Sequence, residues 1–165
     1  MSGLGKKDKI QKTNAVRILD RQKADYELIE YDTDDGQLDG VSVAEKTGQA
    51  EETVYKTLVA TAGTGKYFVY VIPVAGELDL KKAAKAAGEK KIEMLHLRDL
   101  TDVTGYVRGG CSPVGMKKAF PTFIDESARA LGRMIVSAGK RGLQMKLTPA
   151  ALAKAADAVF VPLRK

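Results

Sequence analysis

Residues 56–62 and 66–74 are apolar runs rich in β-branched and aromatic side chains, and only Gly63-Thr64-Gly65 separates them. Such runs on either side of a short glycine turn specify a β-hairpin. The rest of the chain must supply the elements that cover it. Thr13 is placed to cap a helix carrying Val16, Ile18 and Leu19 and ending near Lys23. Residues 26–31 have strand character, and the polar run 32–40 reads as a loop. Ser42 with Glu45 forms a capping-box pattern opening a short helix that stops at Gly48. Asp79 caps a helix that Gly88 terminates, and residues 97–103 suggest another. Residues 122–125 and 133–137 read as short strands; 139–142 is a tight turn and 143–147 the return. Thr148-Pro149 opens the last helix with a cap and a proline at its first position. This irregular alternation, with hairpins in it, predicts an α/β fold. Its core is a single-domain, mixed, largely antiparallel sheet or barrel-like structure flanked by helices.

A hydrophobic content of 44% in 165 residues is enough for one core. The 29% of charged residues and the lack of a long apolar run argue against a transmembrane helix. Residues 1–12 are basic and polar without an apolar stretch, which reads as a tail rather than a secretory signal; residues 13–165 are then the domain. The single cysteine, Cys111, rules out an internal disulfide, and cytoplasmic location is expected. Of the net charge of +6, half lies in the tail, where four lysines oppose one aspartate. The remainder is grouped at Lys81, Lys82 and Lys85, at Lys90 and Lys91, at Lys117 and Lys118, and at Lys140 and Arg141. These clusters suit RNA phosphates, or equally the solvated faces of helices and turns.

Several catalytic patterns fail on inspection. Gly63-Thr64-Gly65-Lys66 resembles the end of a P-loop, but Tyr67 and Ala60 stand where the motif needs a hydroxyl residue and a glycine. Ser112 sits among glycines, yet Pro113 and Val114 break the nucleophile-elbow spacing. A serine triad would have to use His96, the only histidine. One histidine and one cysteine make no transition-metal cluster, and no metal or cofactor is called for.

What stands out is residues 104–115, Thr-Gly-Tyr-Val-Arg-Gly-Gly-Cys-Ser-Pro-Val-Gly. Gly109-Gly110 either aims two amide donors into one concavity, suited to an oxyanion or phosphate, or lets the chain turn. Upstream lie Tyr55-Lys56-Thr57, Pro73-Val74-Ala75-Gly76-Glu77-Leu78-Asp79 and Lys90-Lys91-Ile92-Glu93-Met94; downstream lies Ser137-Ala138-Gly139-Lys140-Arg141-Gly142-Leu143. In this order the motifs resemble the YbaK/EbsC family over nearly the whole chain from about Thr13. That family comprises Cys-tRNA(Pro) deacylases related to the editing domain of bacterial prolyl-tRNA synthetases.

The resemblance implies a trans-editing aminoacyl-tRNA deacylase without a cofactor. Its substrate would be the acceptor end of a charged tRNA, prolyl-tRNA synthetase a partner, and the membrane none. It assigns Lys56 to holding the tRNA end, Gly109 and Gly110 to donating amides, and Thr57, Tyr31, Leu38 and Ser137 to the substrate pocket. Lys140 and Arg141 would contact tRNA. Leu38 departs from the phenylalanine frequent in relatives, and Cys111 stands where they carry a small or branched apolar residue. Hydrolysis in the family is attributed to the substrate's own thiol. Beside this stand the plainer readings of Lys56 as a solvated strand-start lysine and of Tyr31 as a half-buried core aromatic. A non-catalytic module that binds aminoacyl-tRNA, a nucleotide or a protein is the alternative function.

Overall fold

The computed structural model describes residues 12–165. The predicted tail lies outside these residues except for Lys12, whose ammonium meets Asp20 at 2.6 Å. Helix α1 (Asn14–Arg21) begins at Thr13, whose Oγ1 accepts from the Val16 amide at 3.2 Å and donates to the Ala138 carbonyl at 2.5 Å. One hydroxyl thus caps the helix, for about 1 kcal/mol, and fixes its start to a distant strand. Strand β1 (Tyr26–Glu30) follows, then α2 (Gly40–Thr47), β2 (Tyr55–Gly63), β3 (Lys66–Pro73), α3 (Leu80–Ala87) and β4 (Glu93–Met94). Next come α4 (Leu100–Thr104), β5 (Thr122–Asp125), β6 (Met134–Lys140), β7 (Leu143–Leu147), α5 (Pro149–Ala156) and β8 (Ala158–Val161).

The strands form two sheets. β1-β7-β6 is antiparallel throughout, with Tyr26 opposite Leu147 and Met134 opposite Leu147 on its other side. The second sheet runs β4-β2-β3-β5-β8, antiparallel around the β2–β3 hairpin and parallel from β3 through β5 to β8. This is the mixed, largely antiparallel α/β core that the sequence implied. Alternation along β6 and β7 sends Met134, Val136, Ala138, Leu143, Met145 and Leu147 into one core with α1 and α5. A second core packs Ala83 and Ala84 of α3 on Tyr70, Ile72 and Phe123, and the Tyr70 hydroxyl is satisfied by the Ala83 carbonyl at 2.8 Å.

The sheets meet where Val54 bridges Ile135 in parallel. Val54, Val74, Ile135 and Ala44 form a third, small core there, with Ile29 packed against it. Helix α2 lies on this junction. A Cβ at Gly40 would come within 2.2 Å of Val74 Cγ1, so only glycine admits so close an approach.

Four sequence expectations need correction. The capping box at Ser42 and Glu45 does not form: Asp39 is the cap, accepting from the Ser42 amide at 3.1 Å, and the helix starts three residues earlier. The expected helix over 97–103 is a 3-10 turn (Leu97–Asp99) running into a short α-helix. β6 extends to Lys140 with an irregularity between Ser137 and Lys140, so only Arg141 and Gly142 turn. Strands β4 and β8 were not foreseen; both are short, and a single strand partner holds each at a sheet edge. Lys81, Lys82 and Lys85 are all exposed on α3, as a solvated helix face would be.

Asp125 locks the end of the chain. Only 2% exposed, its carboxylate accepts from the Leu163 amide (2.9 Å) and the Ser127 hydroxyl (2.5 Å), and Arg164 Nε lies 3.2 Å away. Burial pushes its pKa up, but these hydrogen bonds and the guanidinium outweigh that and hold it below the usual aspartate value. The folded state therefore binds this proton less readily than the unfolded chain. The contribution is complete above the unfolded aspartate pKa of about 4 and is lost as pH falls through the folded value. Asp125→Ala should destabilise by about 3 kcal/mol. Asp125→Asn should flatten the acid limb of stability, read from urea midpoints between roughly pH 6 and pH 2.5. An unchanged acid limb would refute the assignment.

Candidate functional site

A cavity of about 740 Å³ opens beneath the start of α2, at the junction of the sheets. β2 forms one wall with Tyr55, Lys56, Thr57 and Leu58; Ser137 of β6 and Gln144 of β7 face it from the other sheet. Ser137 and Gln144 are register partners, and Ile29 of β1 is Gln144's other neighbour. All three lie on the sheet face opposite the large core, because side chains alternate along each strand.

Lys56 is half-buried on a central strand, paired with Ile72, and has neither hydrogen-bond nor ion-pair partner among the described residues. A lysine so placed is unusual where the strand on both sides of it is apolar. Tyr31 follows β1, its amide bonded to the Gly142 carbonyl at 3.0 Å. The Lys46 ammonium sits 5.9 Å from the centre of the Tyr31 ring and bonds to Asp35 (2.8 Å) and the Asp32 carbonyl (2.9 Å). That lysine folds the polar loop over the helix, and Leu38 and Asp39 from the loop complete the wall.

The glycine segment is an ordered turn. Gly110 donates its amide to the Val107 carbonyl at 2.9 Å, and Gly109 has φ +82° while Arg108 does not have positive φ. Positive φ at the third position alone defines a type II turn, which favours glycine there. The Arg108 carbonyl accepts from Arg141 Nε at 2.8 Å, so the tip of the β6–β7 hairpin braces the turn. A Cβ on Gly110 would come within 2.8 Å of the Lys140 and Arg141 backbone. The expectation that Gly110 offers an amide to the substrate is therefore corrected. Its N–H is engaged in the turn, and its lack of a side chain lets two backbones touch. The Gly109 amide has no acceptor among the described residues, and Gly109 lines the cavity.

Of the residues expected to form a site, Lys56, Thr57, Tyr31, Leu38, Gly109, Ser137 and Arg141 all line this one cavity. Gly110 lies behind it. Lys140 is exposed on the same hairpin, outside the cavity. The sequence reading missed Arg108, Asp39 and Gln144. Gln144 did leave a signal: a polar residue interrupts the apolar strand Leu143, Met145, Leu147 at an interior position.

The lining carries three cations, Lys56, Arg108 and Arg141, against one carboxylate, Asp39. The hydroxyl and amide of Ser42 hold the Asp39 carboxyl below the usual carboxylate range. It is thus occupied as a helix cap and poorly suited to accept a proton. Ser112 is wholly buried, and its Oγ accepts from the Val114 amide at 3.2 Å. His96 is exposed and outside the lining. Among the described residues no cluster of His, Cys, Asp or Glu could hold a metal ion, and no helix is long and apolar enough to cross a membrane. The cavity therefore offers positive charge, a free backbone amide and hydroxyls, with no histidine or uncommitted carboxylate to act as general base.

The chain is similar to known proteins along most of its length. A family profile described as an aminoacyl-tRNA editing domain matches residues 39–155. EbsC of Enterococcus faecalis (strain ATCC 700802 / V583) is 47% identical over 160 residues, spanning 97% of this chain and 98% of that protein. Its name gives it a proposed Cys-tRNA(Pro)/Cys-tRNA(Cys) deacylase role. A crystal structure described as a proposed trans-editing enzyme for prolyl-tRNA synthetase superposes with a TM-score of 0.79 at 19% identity, covering 94% of this chain and 99% of its own. The hypothetical protein APE2540 superposes with a TM-score of 0.84 at 18% identity, covering 93% and 100%. At such identities the two structures establish the fold.

Cys111 lines the cavity but is only 9% exposed, and burial pushes its thiol up to about 11 against a smaller opposing effect of the Thr104 hydroxyl. Near pH 8 it is a protonated thiol and a poor nucleophile. Labelling by a thiol reagent at pH 8 should be slow in the native protein and fast once guanidinium unfolds it. Rapid native labelling would show a reactive thiolate.

Proposed function

The chain belongs to the aminoacyl-tRNA editing domain family, and from that membership we propose that it is a deacylase acting in trans on cysteinyl-tRNA(Pro), with residues 13–165 as its single editing domain. The observation that carries the proposal is the composition of the cavity. Lys56, the unpaired Gly109 amide and two arginines converge where the protein supplies neither a reactive nucleophile nor a free general base.

An aminoacyl ester already has a good leaving group, so positioning and oxyanion stabilisation can provide much of the acceleration. In the proposed reaction the cysteinyl sulfur attacks its own ester carbonyl. A carbon–sulfur bond forms, the bond from that carbon to the ribose oxygen breaks, and the thiol proton ends on the ribose hydroxyl. Water then opens the resulting thiolactone to free cysteine. The Gly109 amide donates to the carbonyl oxygen as negative charge develops there, and Lys56 holds the terminal adenosine through its hydroxyls or phosphate. Arg108 and Arg141, exposed at the rim, face the RNA backbone. Thr57, Tyr31, Leu38 and Ser137 surround the aminoacyl group. Such editing is useful because a synthetase pocket discriminates weakly between amino acids of similar size. Prolyl-tRNA synthetase is the proposed source of tRNA identity.

A panel of charged tRNAs incubated with the purified protein tests the reading. Cysteinyl-tRNA(Pro) should be hydrolysed, and seryl- and alanyl-tRNA far more slowly because they lack the thiol. Binding without turnover would indicate a binding module instead. Lys56→Ala should lose most activity at an unchanged melting temperature. Gly109→Ala places a side chain at positive φ for about 1 kcal/mol, and re-aiming the donor should lower turnover roughly a hundredfold. Cys111→Ala should stay near wild-type. Its inactivity in folded form, with an acylated Cys111 in the parent, would overturn the substrate-thiol mechanism.

A further inference from the structure

Two buried polar atoms in the cavity wall, Gln144 Oε1 and Thr57 Oγ1, have no hydrogen-bond partner among the described residues. Gln144 is 6% exposed and stands in the middle strand of its sheet, between Ile29 and Ser137. Its neighbour on the same face, Lys146, is matched with Gln49 Oε1 at 3.4 Å. Gln144 is not matched, although an apolar residue of its size would fill the position without leaving a buried carbonyl unpaired. An unsatisfied buried acceptor in the wall of a ligand cavity calls for a donor on the ligand.

We infer that Gln144 Oε1, with Thr57 Oγ1 beside the same cavity, accepts hydrogen bonds from the α-amino group of the bound aminoacyl ester. The site would then select free aminoacyl-tRNA over tRNA whose amino acid is N-blocked. The inference rests on the editing-deacylase reading and adds a selectivity to it. Orientation follows from charge. The exposed guanidinium groups of Arg108 and Arg141 suit phosphates, which leaves the aminoacyl group to the buried part of the wall, where Gln144 lies. The donors it carries there are the amine and the thiol, and the thiol is the weaker hydrogen-bond donor. The cavity's one carboxylate, Asp39, already caps α2. Acceptance of an amine therefore falls to the two neutral oxygens.

N-acetylation removes the basic amine, so single-turnover hydrolysis of N-acetylcysteinyl-tRNA(Pro) should be slower than that of cysteinyl-tRNA(Pro) by on the order of tenfold or more. Bulk alone could slow the acetylated substrate, and Gln144→Met, similar in size but without the carbonyl, separates the two causes. The preference should collapse toward unity in Gln144→Met, chiefly through slower reaction of the free substrate. Gln144→Glu, which keeps an acceptor, should retain it. The same comparison is made on affinity by calorimetry with 3′-cysteinylamino-3′-deoxyadenosine and its N-acetyl form, which cannot be hydrolysed. That arm reads the inference even if neither tRNA is hydrolysed and the deacylase reading fails. Equal rates and affinities for free and acetylated ligands in the wild type, or an undiminished preference in Gln144→Met, would overturn it.

Discussion

Everything about the cavity depends on one short seam, where Val54 bridges Ile135 and Val74 and Ala44 close over them. Each sheet by itself presents an ordinary half-covered face. Joined at this point, they hold Lys56 and Thr57 of one sheet against the wall built from Ser137 and Gln144 of the other. The seam is small and apolar, and it tolerates the closeness of α2 because Gly40 has no side chain to meet Val74. Polar groups next to such a junction are shielded from water without being buried in the main cores.

A second dependence links the two loops at the mouth. The turn of Gly109 keeps its shape through contacts with the β6–β7 hairpin: the Arg141 side chain bonds to the Arg108 carbonyl, and the Lys140–Arg141 backbone abuts Gly110. Two segments separated by about thirty residues thus form one lip. Arg141 both holds the lip and carries charge at the rim, so a substitution there would change geometry as well as electrostatics.

Much of this was legible in the sequence because the signals were local. Thr13, Asp79 and Thr148 mark their helices as expected, and Gly63-Thr64-Gly65 closes the central hairpin. Ser42 misled because Asp39, three residues earlier, takes the Ser42 amide that Glu45 would bond in a capping box, and this draws Ser42 into the first turn of the helix. β8 went unread because its four residues are held by pairing with β5, which no local pattern announces. Of the nine residues expected at the site from motif order, seven line the cavity. The Gly109–Gly110 pair could not be divided into a free amide and a spacer from sequence, since that division depends on φ and on the distant hairpin. Gln144 was missed for a related reason: an isolated polar residue in a strand acquires meaning only when the opposite wall is known.

The pairing of β1 with β7 has a consequence for how the chain must fold. Tyr26 finds its partner in Leu147, and Thr13 its acceptor in Ala138, each more than a hundred residues away. As the polypeptide emerges from the ribosome, β1 has no sheet to join until nearly the whole domain has been made, and its edge stays open meanwhile. The β2–β3 hairpin and α3 can associate early, whereas the three-stranded sheet must close late across a long loop. Such topology favours slow folding and a period in which a strand edge is exposed to other chains.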